Sequence, residues 1–494
     1  MPGLKIVHRT RTERSNRPFT SGWAVGEEHG VDLEEVGYVE DEFIVSGTQN
    51  TYTYGADWSR QVAQADLPYT TRVLVRRPAE ASAASGVVVG ESLHPGSAND
   101  SSWRGAHPWI IRKGHTWVGV TTAAGWARTM AESIDPARYG ALSLPANGLG
   151  WGIMSDVVTA LRAGAFEGLG PGAVSRLYLT GWSMTGTFCR VFLGDGFHAA
   201  SRTPEGGPAV DGYLIGISSG GFLEGGYTPL SDGCPVLPED DPRRTIGAYG
   251  VPVIELLSEN ESETHSGVLR PDSDDPQDPY RLYQVAGSGH SSYRPRTGWP
   301  GDEVALRHRR PATPIREQWS TFPLEFAARA AYEHLDRWVA EGTPAPRAER
   351  IPFAETGLRA PWPEARPLER DADCNAVGGV RSTYVDVPAA TYVPHSTTAD
   401  DADGQSRGWL YPHVLPFPDE VLLERYGSAE NYRKLVARRA AELVGEGWLL
   451  EEEAALVVEG AALVDGARDV RFDSPGAGTN QSTNDPNTIQ EVRA

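Results

Sequence analysis

The spacing of apolar residues along the chain changes period several times. Val36–Ser46 (VGYVEDEFIVS) and Thr70–Arg76 (TTRVLVR) alternate apolar and polar positions and carry many β-branched side chains, which predicts strands. Ser85–Leu93 (SGVVVGESL) holds a continuous apolar run, the pattern of a strand covered on both faces in a parallel sheet. His115–Thr121, Leu177–Gly181, Val210–Ile217, Val251–Leu257 and Tyr280–Val285 also read as strands. Helical spacing falls between them, at Trp103–Lys113, Trp151–Gly164 and Thr187–Leu193, and is clearest in Pro323–Gly342 (PLEFAARAAYEHLDRWVAEG). Strands alternating with helices over about 200 residues predict an α/β fold with a mostly parallel central sheet flanked by helices.

Breaks in the pattern suggest the organisation. Residues 1–30 lack a period and read as an irregular N-terminal arm, and 31–345 as the core. Two segments, near 220–250 (rich in Gly, Pro and Asp) and 291–322 (rich in Arg, Pro and Trp), follow strand ends, where loops over a site sit, and read as lid insertions. Residues 346–470 read as a C-terminal extension packed on the core, with helices clearest at Tyr432–Gly447 and Glu451–Val464. The polar, Gly/Ser/Asn-rich stretch 471–494 reads as a disordered tail.

Composition narrows the function classes. Hydrophobic residues make up 39% and charged residues 22% of the 494, as in an ordinary globular protein. A net charge of −21 repels phosphate, which argues against nucleic acid and anionic membranes as partners. With neither a long apolar run nor a signal-peptide pattern, the expectation is a cytoplasmic protein without a transmembrane segment, secretion of a longer precursor remaining open. The three cysteines, Cys189, Cys234 and Cys374, make neither a disulfide framework nor a zinc motif, although Cys234 and Cys374 could pair. Asp400-Asp401-Ala402-Asp403-Gly404 lacks the remainder of a calcium loop, and no phosphate or dinucleotide fingerprint stands in proper context, so neither metal nor cofactor is expected.

The chemistry-bearing feature is Leu177-Tyr178-Leu179-Thr180-Gly181-Trp182-Ser183-Met184-Thr185-Gly186. A strand runs into a serine and a helix follows, the layout of a nucleophile elbow, in which small residues keep strand and helix from colliding. Thr185 breaks the G-x-S-x-G pattern. A strict match stands at Gly216–Gly220, around Ser218, but it runs on into Gly220-Gly221-Phe222-Leu223-Glu224-Gly225-Gly226, where a helix would cost about 1 kcal/mol per glycine. Ser183 is therefore the candidate nucleophile. A base should follow the last strand, and His290 does, after Ala286-Gly287-Ser288-Gly289. An acid should follow the preceding strand, where Glu259, Glu261 and Glu263 compete. The offset from Pro252 favours Glu261, with Glu259 second, the others then being solvated loop carboxylates. The order serine, acid, histidine is that of α/β-hydrolase triads. Oxyanion donors are expected from the amide of Met184, at the helix start, and from Leu93 or His94 after the VVVGESL strand. Trp103, Trp182, Trp299 and Trp319 fall near loops facing this site.

With these residues in place, the chain resembles the large bacterial α/β-hydrolase domain proteins along nearly its whole length. The resemblance runs from GYVEDEFIVSG and YTTRVLVRRPAEASAASGVVVGESL through TWVGV, IDPARYGAL and LTGWSMTG to VPVIELLSENE, YRLYQVAGSGH and CNAVGGVRSTYVDVPAATY. It implies an α/β-hydrolase fold, an elbow in which Thr185-Gly186 is at home, and residues 374–392 within the catalytic unit. Where that group often has an aspartate acid, this chain offers Glu261. The expected activity is carboxylic-ester hydrolysis of a small-molecule ester through an acyl-enzyme, esterase- or lipase-like in mechanism. Acyl transfer on the same triad and a non-catalytic binding protein on this fold are the alternatives.

Overall fold

Nine strands form one sheet in the order β1-β2-β3-β5-β4-β6-β7-β8-β9. They are β1 (Lys5–Thr12), β2 (Tyr38–Tyr54), β3 (Arg60–Pro78), β4 (Val87–Ser92), β5 (Thr116–Val120), β6 (Arg176–Trp182), β7 (Gly212–Gly216), β8 (Val253–Leu257) and β9 (Tyr280–Gln284). The computed structural model describes residues 3–13, 15–21, 31–96, 98–218, 229–238, 240–264, 269–292, 317–318, 320, 322–358, 365–396 and 407–463. Pairing is antiparallel from β1 to β5 through β2 and β3, and parallel from β5 through β4, β6, β7 and β8 to β9. The parallel strands are buried almost throughout, as their continuous apolar runs predict.

Period-two alternation sorts the core onto two faces. Val88, Leu177 and Leu179 point into one apolar cluster, with the helix Gly150–Arg162 and the helix Met184–Gly194. Val87, Val89 and Tyr178 point into the other, with Trp109 and Ile110 of the helix Ser101–Arg112 and Tyr332 and Leu335 of the helix Leu324–Glu341. The second cluster continues through Tyr384, Val414, Leu422, Val436, Leu443 and Val457, so residues beyond 346 share its apolar interior.

Three differences from the sequence expectation have physical causes. The N-terminal arm is not irregular throughout: Lys5–Thr12 pairs antiparallel with β2. It is an edge strand whose exposed positions are Lys5, Val7, Arg9 and Arg11, too polar to show as a buried strand. Strands β2 and β3 extend well past their predicted apolar segments as a long hairpin with an exposed tip. The extension contains a further two-stranded sheet, Ala390–Val393 with His413–Pro416. The lid segments near 220–250 and 291–322 lie in large part outside the described residues, at 219–228, 239, 293–316, 319 and 321, and the Asp400–Gly404 run and the tail 471–494 lie wholly outside. Cys189, Cys234 and Cys374 are buried and unpaired. No described helix is long and apolar enough to cross a membrane.

Candidate active site

Ser183 stands between the end of β6 and the first turn of Met184–Gly194, with φ 56° and ψ −121°. A non-glycine residue at positive φ is strained by roughly 1–3 kcal/mol, so the surroundings must hold it. Its amide donates to Gly216 O on β7 (3.1 Å), and its carbonyl accepts from Thr187 N (3.0 Å). Gly181 is required because a Cβ there would overlap the Thr185 carbonyl, and Gly186 because a Cβ would lie 2.7 Å from Gly216 O and Ser218 Cβ. Thr185, the departure from the usual pattern, ties the turn together. Its hydroxyl accepts from Trp182 N (2.7 Å) and donates to Trp182 O (2.9 Å). The Ser183 hydroxyl makes no capping bond to the helix. Ser218, by contrast, is buried, and its Oγ accepts from Arg190 Nε (2.9 Å) beside the buried Arg190–Glu255 ion pair.

After β8 the chain enters a short helix, Glu259–Thr264, rather than a loop. All three of its glutamates are buried, which corrects the expectation that two would be solvated. Glu261 Oε1 accepts from His290 Nδ1 at 2.5 Å, and its Oε2 from Ser258 Oγ (2.5 Å) and Ser258 N (3.2 Å). Glu259 accepts from Gly287 N (2.6 Å) and from Arg370 (2.8 Å), and Glu263 Oε2 pairs with His395 Nε2 (2.7 Å). Thus the turn brings Glu261 to His290 and turns Glu259 away from it. Helical geometry explains this: positions 259 and 263 share a face, and 261 lies opposite.

The loop after β4 differs from expectation. Leu93 N donates to Val120 O and His94 N to Asn99 O, both at 2.9 Å, so neither amide is free for an oxyanion. The strand register runs one residue beyond Ser92, and the loop then closes on itself through Ala98 N to His94 O (2.6 Å). Gly96 lies beside Met184, a Cβ there falling 4.0 Å from Met184 Sδ. The Gly96 amide donates to the His94 ring at Nδ1 (3.0 Å). Met184 N, at the first position of its helix, has no intrahelical acceptor. Buried Glu91 anchors the far end of the loop by accepting from Ser102 N (3.0 Å), Trp103 N (3.1 Å) and Trp117 Nε1 (2.7 Å), and burial pushes its pKa up to about 7.

Of the four tryptophans read as facing the site, Trp103 is buried beside Arg76 and Trp117, and Trp299 and Trp319 lie outside the described residues. The tryptophan that meets His290 is Trp409, its ring centroid 5.7 Å away. Pro412 packs against Gly289, where any Cβ would overlap it, and Ser291 N donates to Leu410 O (3.1 Å). Trp409, His395 and Arg370 carried no sequence signal, because only the fold brings residues 370–396 and 407–412 to the ends of β8 and β9; Asn260 stands unmarked among the three glutamates.

A doubly flanked parallel sheet, with a strained serine after β6 and a histidine–carboxylate pair after β8 and β9, has the architecture of an α/β hydrolase. The alpha/beta hydrolase domain family matches residues 7–459, and the chain belongs to that family. No curated protein matches it. Among solved structures it is similar to a thermostable esterase from Pseudomonas putida (12% identity, 57% of this chain and 81% of that one, TM-score 0.31). It is also similar to a putative dienelactone hydrolase from Klebsiella pneumoniae (14%, 54% and 96%, TM-score 0.29) and to brefeldin A esterase, a bacterial homologue of human hormone-sensitive lipase (15%, 53% and 72%, TM-score 0.24). At these identities and scores the likenesses carry no argument about substrate.

Proposed function

We propose that the protein hydrolyses carboxylic esters of small molecules through a serine acyl-enzyme, with Ser183 as nucleophile, His290 as general base and Glu261 as the acid. The observation that carries this reading is a His290–Glu261 hydrogen bond of 2.5 Å at the ends of β9 and β8, in the sheet whose β6 runs into the strained Ser183. Ser183 Oγ attacks the ester carbonyl carbon while His290 Nε2 takes its proton. Charge develops on the carbonyl oxygen, and the Met184 amide donates to it. The Gly96 amide, beside Met184, is the second donor once the His94 ring turns aside. Collapse of the adduct breaks the ester C–O bond, and His290 returns the proton to the departing alkoxide. Water then attacks the acyl-enzyme by the same steps and frees the acid and Ser183. Glu261 accepts from Nδ1, fixing the tautomer that leaves Nε2 as base and stabilising the imidazolium.

An ester panel of varied acyl and alcohol length, run on wild type and Ser183→Ala, tests this. Turnover of at least one ester, lost by at least about 10³-fold in the variant, is expected. Turnover retained by Ser183→Ala sinks the proposal.

A further inference from the structure

We infer that Asn260 and His395 are positioning residues for His290, an inference that rests on the reading of His290 as the base. Behind the His290–Glu261 pair stands a second histidine–carboxylate pair, His395 with Glu263 (2.7 Å), in which Glu263 is completely buried. Asn260, also completely buried, lies between the two. Its Oδ1 accepts from the His290 backbone amide at 2.8 Å. Its Nδ2 donates to Pro394 O (3.1 Å) and Trp409 O, and stands 3.0 Å from His395 Nδ1.

The sense of the Asn260 amide follows from these contacts. A backbone N–H can only donate, so Oδ1 must face His290 and Nδ2 must face the carbonyls of Pro394 and Trp409. His395 completes the arrangement when its Nε2–H donates to Glu263, which leaves Nδ1 to accept from Asn260. A proton on Nδ1 turns that contact into donor against donor, its other acceptor being Trp409 O at 3.3 Å. The groups bearing on the His395 charge come from three elements. Burial opposes the charge, and Glu263 on the short helix and the Trp409 carbonyl favour it. Arg370 of the extension opposes it, and the net effect raises the pKa above the ordinary histidine value, so the Asn260–Nδ1 contact forms at pH above that raised value and is lost below it. His413 on the strand His413–Pro416 also interacts with it, and burial lowers the His413 pKa. The Asn260 side chain thereby joins the extension to the His290 backbone amide, beside the Ser291 N to Leu410 O bond, and a misplacement of about 1 Å at a reacting group can cost on the order of 10²-fold in rate.

Two isosteric replacements separate positioning from mere support. Asparagine at 395 keeps an acceptor near the Nδ1 position and drops the link to Glu263. Glutamine keeps the Nε2 link to Glu263 and drops the acceptor for Asn260. The expected result is a crossing of ranks. His395→Gln is the more stable to heat yet loses more kcat, about tenfold with KM little changed, whereas His395→Asn is the less stable and loses less kcat. Asn260→Ala, which keeps the second pair, should lose at least as much kcat as His395→Gln and serves alone if both 395 variants fail to fold. Fluorophosphonate labelling of Ser183 in the same proteins should slow in parallel with kcat. If kcat simply follows thermal stability, or Asn260→Ala turns over like wild type while wild type labels at Ser183, the positioning role is overturned and the triad stands. If wild type does not label at Ser183, both fall.

Discussion

Glu259, Glu261 and Glu263 are one residue type within five positions, and their surroundings give them three different partners. Glu261 meets an imidazole, Glu259 a guanidinium and a loop amide, and Glu263 a second imidazole. Their separate fates set a test. Glu261→Gln removes the acceptor that fixes the His290 tautomer, so kcat should fall by about 10²–10⁴-fold with the fold intact. Glu259→Gln leaves Arg370 buried beside a neutral group, so stability should fall by about 3–5 kcal/mol while kcat of the folded protein falls far less. Urea denaturation and steady-state kinetics on both variants check this; a Glu259→Gln enzyme slower than Glu261→Gln would exchange the assignments. The offset from Pro252 ranked Glu261 first and Glu259 second, but a segment that reads as a loop gives the three no separate surroundings; the helical turn puts 261 opposite 259 and 263.

At the scale of elements, the elbow replaces a glycine by a hydrogen-bonded threonine. Thr185→Gly completes G-x-S-x-G on paper, yet it removes two hydrogen bonds to Trp182 and adds backbone freedom next to a strained residue. A loss of roughly 1–3 kcal/mol in stability and a lower kcat are predicted; a variant as stable and active as wild type would show that Thr185 does not hold the turn. The buried parallel strands were legible because they are continuous apolar runs, and Leu324–Glu341 because its apolar stripe is regular. Edge strand β1 was not, since half its side chains meet solvent. Ala390–Val393 and His413–Pro416 were not, because each has only four residues and pairs with a partner distant in sequence. Whether the Leu93 amide is free depends on sheet register, and whether the His94 amide is free on how the loop folds back to Asn99; neither is visible in the local sequence.

Over the whole molecule, the described residues beyond 346 help fill one face of the core and reach the ends of β8 and β9. Acid stability is also a property of the whole. Buried His115 bonds Ser85 Oγ (2.7 Å) and buried His198 bonds Tyr213 OH (2.9 Å). Burial lowers their pKa values from 6.5 to about 3 and about 4. The unfolded chain therefore takes up these protons before the folded one does. Their contribution is intact above pH 6.5 and is lost as pH falls towards those folded values, by on the order of 2 kcal/mol per histidine at about pH 5. Unfolding free energies at about pH 7 and about pH 5 should drop more in wild type than in the double variant His115→Asn, His198→Asn. Equal drops would mean that these histidines are not held neutral.

Ser183, not the pattern-matching Ser218, is the proposed nucleophile. Mass spectrometry of the native protein after reaction with a fluorophosphonate tests it most directly. One adduct, on the Ser183 peptide and absent from Ser183→Ala, is the predicted result. No adduct on the folded protein, or an adduct on Ser218, would contradict it.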